Sequence, residues 1–173
     1  MSQVYYVVDT GILFSPLKID FKDAILVTTN NIINEIRNKP SQTRAEFLIL
    51  LERMVNMDPT SEHVNRARAA AIRSGDISVI SENDLELIAL ALMLGEGKEK
   101  KIVLVSTDFA VLNIASHLHI SILDPSGRFG HKIIWTMICP ACNYKSKVLK
   151  RETECPVCGT EMRRSPLKKG KIR

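Results

Sequence analysis

Two Cys-x-x-Cys pairs, Cys139/Cys142 and Cys155/Cys158, constrain this chain more than any other feature. They lie twelve residues apart in matching settings, CPACN and CPVCG. Two residues between thiolates let both sulfurs reach one ion from a tight turn, and tetrahedral coordination takes two such turns. Pro140 and Pro156 stiffen the turns, and Gly159 permits the positive dihedral that closes the second. A segment of about 30 residues buries too little apolar surface to fold alone, whereas a structural zinc contributes roughly 10–16 kcal/mol. With Cys at all four positions, no site is left for a water, so one structural zinc is expected rather than a catalytic one. Disulfides are the alternative, and a cytosolic setting disfavours them.

The cysteines mark a compositional boundary. Residues 1–127 carry 12 Lys/Arg and 16 Asp/Glu, a net of −4, while residues 128–173 carry 12 and 3, a net of +9. The chain therefore reads as an acidic body followed by a basic, cysteine-bearing unit. No apolar run reaches the roughly 18 residues of a membrane span. The start, MSQVYYVVDTGILF, lacks a basic leader and a small-residue cleavage site. These features predict a cytoplasmic protein with no membrane partner.

Within the body, short apolar runs rich in β-branched residues predict buried strands at Val4–Val8, Ile25–Val27, Ile102–Val105 and Ile120–Leu123. Helical patterns fall between them at Asn30–Asn38, Ser41–Val55, Thr60–Ser74, Asn83–Leu94 and Phe109–Leu118. Strands alternating with helices predict an α/β three-layer sandwich with a mostly parallel sheet. The turn-rich DPSGRFG marks the linker, giving segments 1–124, 125–132, 133–165 (zinc ribbon) and 166–173 (a basic tail, disordered without a partner).

Four acids are placed where chemistry could occur. Asp9 ends the first strand, Asp108 follows the third, Asp84 opens a helix, and Glu35 lies in the short helix after the second strand. Ligands of open α/β sheets bind beyond the carboxyl ends of the strands. Each acid also has a plainer reading: Asp9 and Asp108 as helix caps, Asp84 as a complement to a helix dipole, Glu35 as a solvated helix residue. Gathered together they would repel, at roughly 4 kcal/mol per pair about 4 Å apart. A hard divalent cation, Mg²⁺ or Mn²⁺, relieves that repulsion, and such a cluster is the working part of a phosphodiester hydrolase.

YYVVDTGILF, NNIINEIRN, ENDLELIALAL and VLVSTDFAVL resemble, in order, the four acidic motifs of PIN-domain ribonucleases. With the four-cysteine ribbon and basic end, nearly the whole chain resembles the archaeal Nin-one-binding protein family, endonucleases that trim the 3′ end of small-subunit ribosomal RNA. The resemblance implies a PIN-like fold and a metal-dependent endoribonuclease. It assigns Asp9, Glu35, Asp84 and Asp108 as the acids, with Asp9, Asp84 and Asp108 on the divalent ion, and Cys139, Cys142, Cys155 and Cys158 on zinc. Ser106 occupies the small-hydroxyl position two before the last acid. Gly11, and Phe109 in place of a possible further acid, depart from the pattern. The implied partners are precursor ribosomal RNA, the small ribosomal subunit and other assembly factors. Because the nucleophile is a water and no 2′-hydroxyl takes part, the expected products are a 3′-hydroxyl and a 5′-phosphate. Two alternatives stay open: an inactive RNA-binding assembly factor, and a toxin-type PIN ribonuclease, which the ribbon disfavours.

Arg128, Lys132, Lys145, Lys147, Lys150, Arg151, Arg163 and Arg164 are candidate phosphate contacts. Trp135 and Phe129 could stack on a base, though packing between the two units is the preferred reading. Gly95-Glu-Gly97-Lys98 lacks phosphate-loop spacing and reads as a surface turn.

Overall fold

The computed structural model describes residues 4–9, 12, 24–37, 54–97, 101–146 and 154–172, with backbone alone for 35–37. Five strands form one sheet: β1 (Val4–Val8), β2 (Ala24–Thr28), β3 (Met54–Asn56), β4 (Lys101–Val105) and β5 (Ser121–Leu123), in the order β3-β2-β1-β4-β5. Every pairing is parallel. Among the described residues the helices are α1 (Asn30–Arg37), α2 (Ser61–Ser74), α3 (Glu82–Gly95) and α4 (Phe109–His117).

Strand side chains alternate between faces, and both faces are buried. Val7, Val27 and Leu104 meet α2, α3 and α4 on one side, while Val8, Leu26, Val105 and Ile12 cluster on the other. This two-sided burial explains why the strands read as continuous apolar runs rather than alternating ones. Helix α3 buries Leu85 and every residue from Leu87 to Leu92, as its nearly all-apolar sequence requires. Helix α2 ends at Gly75, which takes the left-handed conformation and closes the last turn on Ala71.

Two sequence expectations need restating. The helix expected over Ser41–Val55 lies outside the described residues except at its end, where Met54 and Val55 belong to β3. That strand escapes a pattern search because it is three residues long with only Met54 buried.

The second unit is an antiparallel sheet, β7-β6-β8, of β6 (His131–Ile138), β7 (Lys145–Ser146) and β8 (Arg163–Lys171). The basic end of the chain is not a disordered tail up to Lys171: it pairs along β6, from Ile138↔Arg163 to His131↔Lys171. The physical reason is the apolar HKIIWTMI strand, whose backbone groups need partners once its side chains are partly buried. Pro166 is accommodated because β8 is an edge strand and the register shifts beside it, between Ile134 and Trp135.

Candidate functional site

The sheet order reverses direction beside β1: β2 and β3 lie on one side, β4 and β5 on the other. Crevices open at such switch points, outside the carboxyl ends of the strands. Val8 and Val105 are in register, so the residues that follow them, Asp9 and Ser106, meet at that edge. The Ser106 hydroxyl is fully buried, donates to Asp9 Oδ2 at 3.0 Å and accepts the Asp108 N–H at 3.0 Å. One serine thus ties the loop after β4 to the acid after β1.

Asp108 is the N-cap of α4, where its Oδ1 accepts from the N–H groups of Ala110 (2.6 Å) and Val111 (3.2 Å). The capping role weighed from the sequence is therefore real, and it fixes the carboxylate at the crevice. Asp84 lies in the first turn of α3. Ser81 caps that helix, accepting the Asp84 N–H at 3.1 Å and donating to Asp84 Oδ2 at 2.6 Å.

Burial pushes the Asp84 carboxyl above its ordinary value; the Ser81 bond opposes this, and the charges of Asp9 and Asp108 add to it. Asp9 and Asp108 are thus near enough to act on Asp84 by charge, and their hard oxygen donors are of the type that suits a divalent cation, but among the described residues only the four cysteines come close enough together to hold one ion. Glu35 lies on α1, just beyond β2, and its side chain is outside the described residues. Asn31, also on α1, donates to Glu86 of α3 at 2.6 Å, bracing these helices against each other.

The four cysteine sulfurs lie within 4.8 Å of one another. Cys139 and Cys158 are 3.5 Å apart, as are Cys142 and Cys155. A tetrahedron with metal–sulfur bonds of about 2.3 Å sets sulfurs roughly 3.8 Å apart, and a disulfide would bring them to about 2.05 Å. The two turns are built alike: Asn143 N–H returns to Cys139 O, and Gly159 N–H returns to Cys155 O. Both Asn143 (φ 59) and Gly159 (φ 73) are left-handed, which Asn and Gly tolerate best.

The thiols do not ionise alike. Hydrogen bonds with Thr160 lead in drawing Cys158 down to about 6. At Cys142 the Tyr144 backbone bond favours the thiolate, but desolvation and the neighbouring sulfurs push it up to about 12. A dication is what lets all four become thiolates together. The site fits one structural, four-sulfur ion.

The candidate phosphate contacts divide. Arg128, Lys145 and Arg163 are exposed and Lys132 is half-buried, its stem laid over Gly170 on the opposite strand. Lys147, Lys150 and Arg151 lie outside the described residues. Arg164 is a correction. Its guanidinium pairs with Asp76, donates to Gly75 O at 3.0 Å and stacks 4.1 Å from the Trp135 ring centre. It is engaged by the body and so is not a free phosphate contact. Trp135 accordingly packs between the units.

Sequence reasoning missed the network behind that clamp. Asp76, 1% exposed, accepts from Ser74 (2.6 Å) and Asn113 (2.6 Å). Asn113 in turn pairs like a strand with Ile133 of β6, accepting its N–H at 2.7 Å and donating to its carbonyl at 2.8 Å. The available signal was a lone Asn in the apolar helix FAVLNIASH, with two buried residues on either side of it.

Comparison with known proteins gives the family. The PIN domain of ribonuclease matches residues 6–94. Endoribonuclease Nob1 of Pyrococcus abyssi is 29% identical over 139 residues, 80% of this chain and 83% of its own. Endoribonuclease Nob1 of Archaeoglobus fulgidus is 31% identical over 79% of this chain and 77% of its own. Ribonuclease VapC1 of Thermoplasma acidophilum is 26% identical over 92% of this chain and 77% of its own.

Proposed function

Because the chain belongs to the PIN-domain ribonucleases, we propose that it is a divalent-metal-dependent endoribonuclease that trims precursor small-subunit ribosomal RNA near its 3′ end. The observation that carries this reading is the Ser106 hydroxyl, which joins the Asp9 carboxylate after β1 to the Asp108 backbone after β4 at the switch point of the sheet, with the charges of both acids acting on Asp84. The Nob1 relatives favour a ribosomal substrate over a toxin-type one.

When bound, Mg²⁺ or Mn²⁺ supplies an activated water and offsets charge on the phosphate. The protein's own part is positional. Ser106 holds the Asp9 carboxylate, the α4 N-terminus holds Asp108, and Ser81 holds Asp84, so each carboxylate is fixed before substrate arrives. Its motif gives Glu35 the part of steadying the ion or its water. Water adds to phosphorus and the O3′ leaves with a proton, which gives a 3′-hydroxyl and a 5′-phosphate. Zinc holds the four-cysteine ribbon, whose free cations grip the RNA backbone. The reading places the protein in the cytoplasm, on assembling small subunits and among their assembly factors.

The test is an RNA spanning the mature 3′ end, incubated with Mn²⁺ and separately with EDTA. Cleavage only with Mn²⁺, leaving 5′-phosphate ends, is expected. Equal cleavage in both would overturn the metal mechanism.

A further inference from the structure

Phe109 is the first residue of α4, directly after the cap Asp108, and is 48% exposed. Single exposed apolar residues are ordinary, but this one has company. Phe129 meets it edge-on, with ring centres 5.8 Å apart at 78°. The Arg128 guanidinium lies 6.0 Å from its ring centre. Phe129 and Arg128 are held in place by Asp124, whose carboxylate accepts from the N–H groups of Ser126, Arg128 and Phe129 at 2.7–2.8 Å and from the Ser126 hydroxyl at 2.6 Å. Burial raises this carboxyl, but those bonds outweigh it and hold Asp124 below its ordinary value, so it stays ionised as an acceptor at neutral pH.

The result is a rigid aromatic pair with a cation beside it, one residue from an acid of the proposed cleavage site. Consecutive Cα atoms are about 3.8 Å apart, so a single strand bound at Asp108 passes within reach of the exposed Phe109 ring. An aromatic ring and an adjacent cation suit a base and its phosphate respectively, without regard to base identity. We propose that Phe109, braced by Phe129 and flanked by Arg128, is a stacking site for one RNA nucleobase beside the bond to be cut. The site positions single-stranded substrate, and it gives the cleavage edge a grip of its own, separate from the ribbon. This inference rests on the ribonuclease reading, which supplies the substrate.

The experiment uses the full chain carrying Asp9→Asn, which binds without cutting, and short single-stranded RNAs with 2-aminopurine or an abasic nucleotide at each position around the cut. One 2-aminopurine position should be quenched on binding. Phe109→Ala should abolish that quench and weaken binding by about 5- to 150-fold, Phe109→Tyr should restore both, and Phe109→Leu, which keeps apolar bulk, should not. An abasic nucleotide at the quenched position should make Phe109→Ala silent. Unchanged affinity and quench in Phe109→Ala, or a loss equal with Phe109→Tyr, overturns the stacking site while leaving the ribonuclease reading intact. A Phe109-dependent quench in a protein whose wild type cuts no RNA supports the stacking site and overturns the ribonuclease reading instead.

Discussion

Ser106 shows how much one small side chain carries. Its hydroxyl has no solvent contact, and both of its bonds go to acids of the site or their backbone. Outer residues that orient ligating groups typically change metal affinity or activity 10- to 100-fold when removed. Ser106→Ala is therefore expected to lower kcat by about 10- to 100-fold with little change in RNA affinity, a split that cleavage kinetics and equilibrium binding resolve separately. Asp9→Asn is expected to lose cleavage, keep RNA affinity, and melt at the same or a higher temperature without metal, because it relieves carboxylate repulsion. A large drop in melting temperature would make Asp9 structural instead. Asp84 gives a pH dependence with a definite sign. Its carboxyl is raised by burial first and by Asp9 and Asp108 after the opposing Ser81 bond. The folded metal-free chain therefore holds that proton more tightly than the unfolded chain. Its contribution to stability is complete below the ordinary carboxylate value and is lost as pH rises through the raised one. Divalent ions favour the ionised form, so the rise in melting temperature on adding Mg²⁺ should grow across the same acidic range. Asp84→Asn should flatten that growth, and a pH-independent Mg²⁺ effect in the parent protein would contradict the assignment.

At the scale of elements, legibility in the sequence follows how local the cause is. β1, β2 and β4 are visible because each is an uninterrupted apolar run buried on both faces. The turns at Cys139 and Cys155 are visible because their chemistry sits within a few residues. The places of Asp9, Asp84 and Asp108 in the fold are legible for the same reason: each lies just past a strand or opens a helix. β3 and β8 are not, since a three-residue strand carries no period and a run such as RRSPLKKGK is ordered only by the strand opposite. The Asp76–Asn113 bond joins positions 37 apart, a distance no local pattern encodes. The ribbon should depend on its ion in the same local way. Cys155 is buried, so Cys155→Ser would remove a thiolate, and chelation the ion, that together would hold the unit's small core of Cys139, Cys155 and Met162. Rapid proteolysis between residues 139 and 158 is expected, while the helical signal of the body persists, as mass spectrometry of the fragments and circular dichroism would show. Protection unchanged by zinc removal would mean that the ribbon is held by its strands alone.

Across the whole molecule, the charge split becomes a mechanical question. A body of net −4 repels RNA and a basic unit of net +9 attracts it, so useful cutting needs the two at a fixed spacing. Beside the packing of Trp135, the described contacts that fix it include a few polar ones. Arg164 of β8 pairs with buried Asp76, Asn113 of α4 pairs with Ile133 of β6, and His117 bonds the Ile133 carbonyl at 3.1 Å. Removing one partner of a buried ion pair strands the other, at about 3–5 kcal/mol. Arg164 is 26% exposed, so the lower end of that range applies to Arg164→Met. Converting Asp76 to Asn in the same chain removes the stranded charge, and Ser74 and Asn113 remain to bond it. The double variant should then recover part of the loss, with a coupling energy of about 1–3 kcal/mol in urea unfolding. Additive losses would show that the pair does not act as a clamp. The same variants separate grip from cut. Arg164→Met leaves Asp9, Ser106 and Asp108 untouched, so a short oligonucleotide that spans only the crevice should be cut at the parent rate. A long precursor held by the ribbon should be cut at scattered positions, because the distance from grip to crevice is no longer set. If the long precursor is still cut at one site, that distance is fixed by something other than the Arg164–Asp76 pair.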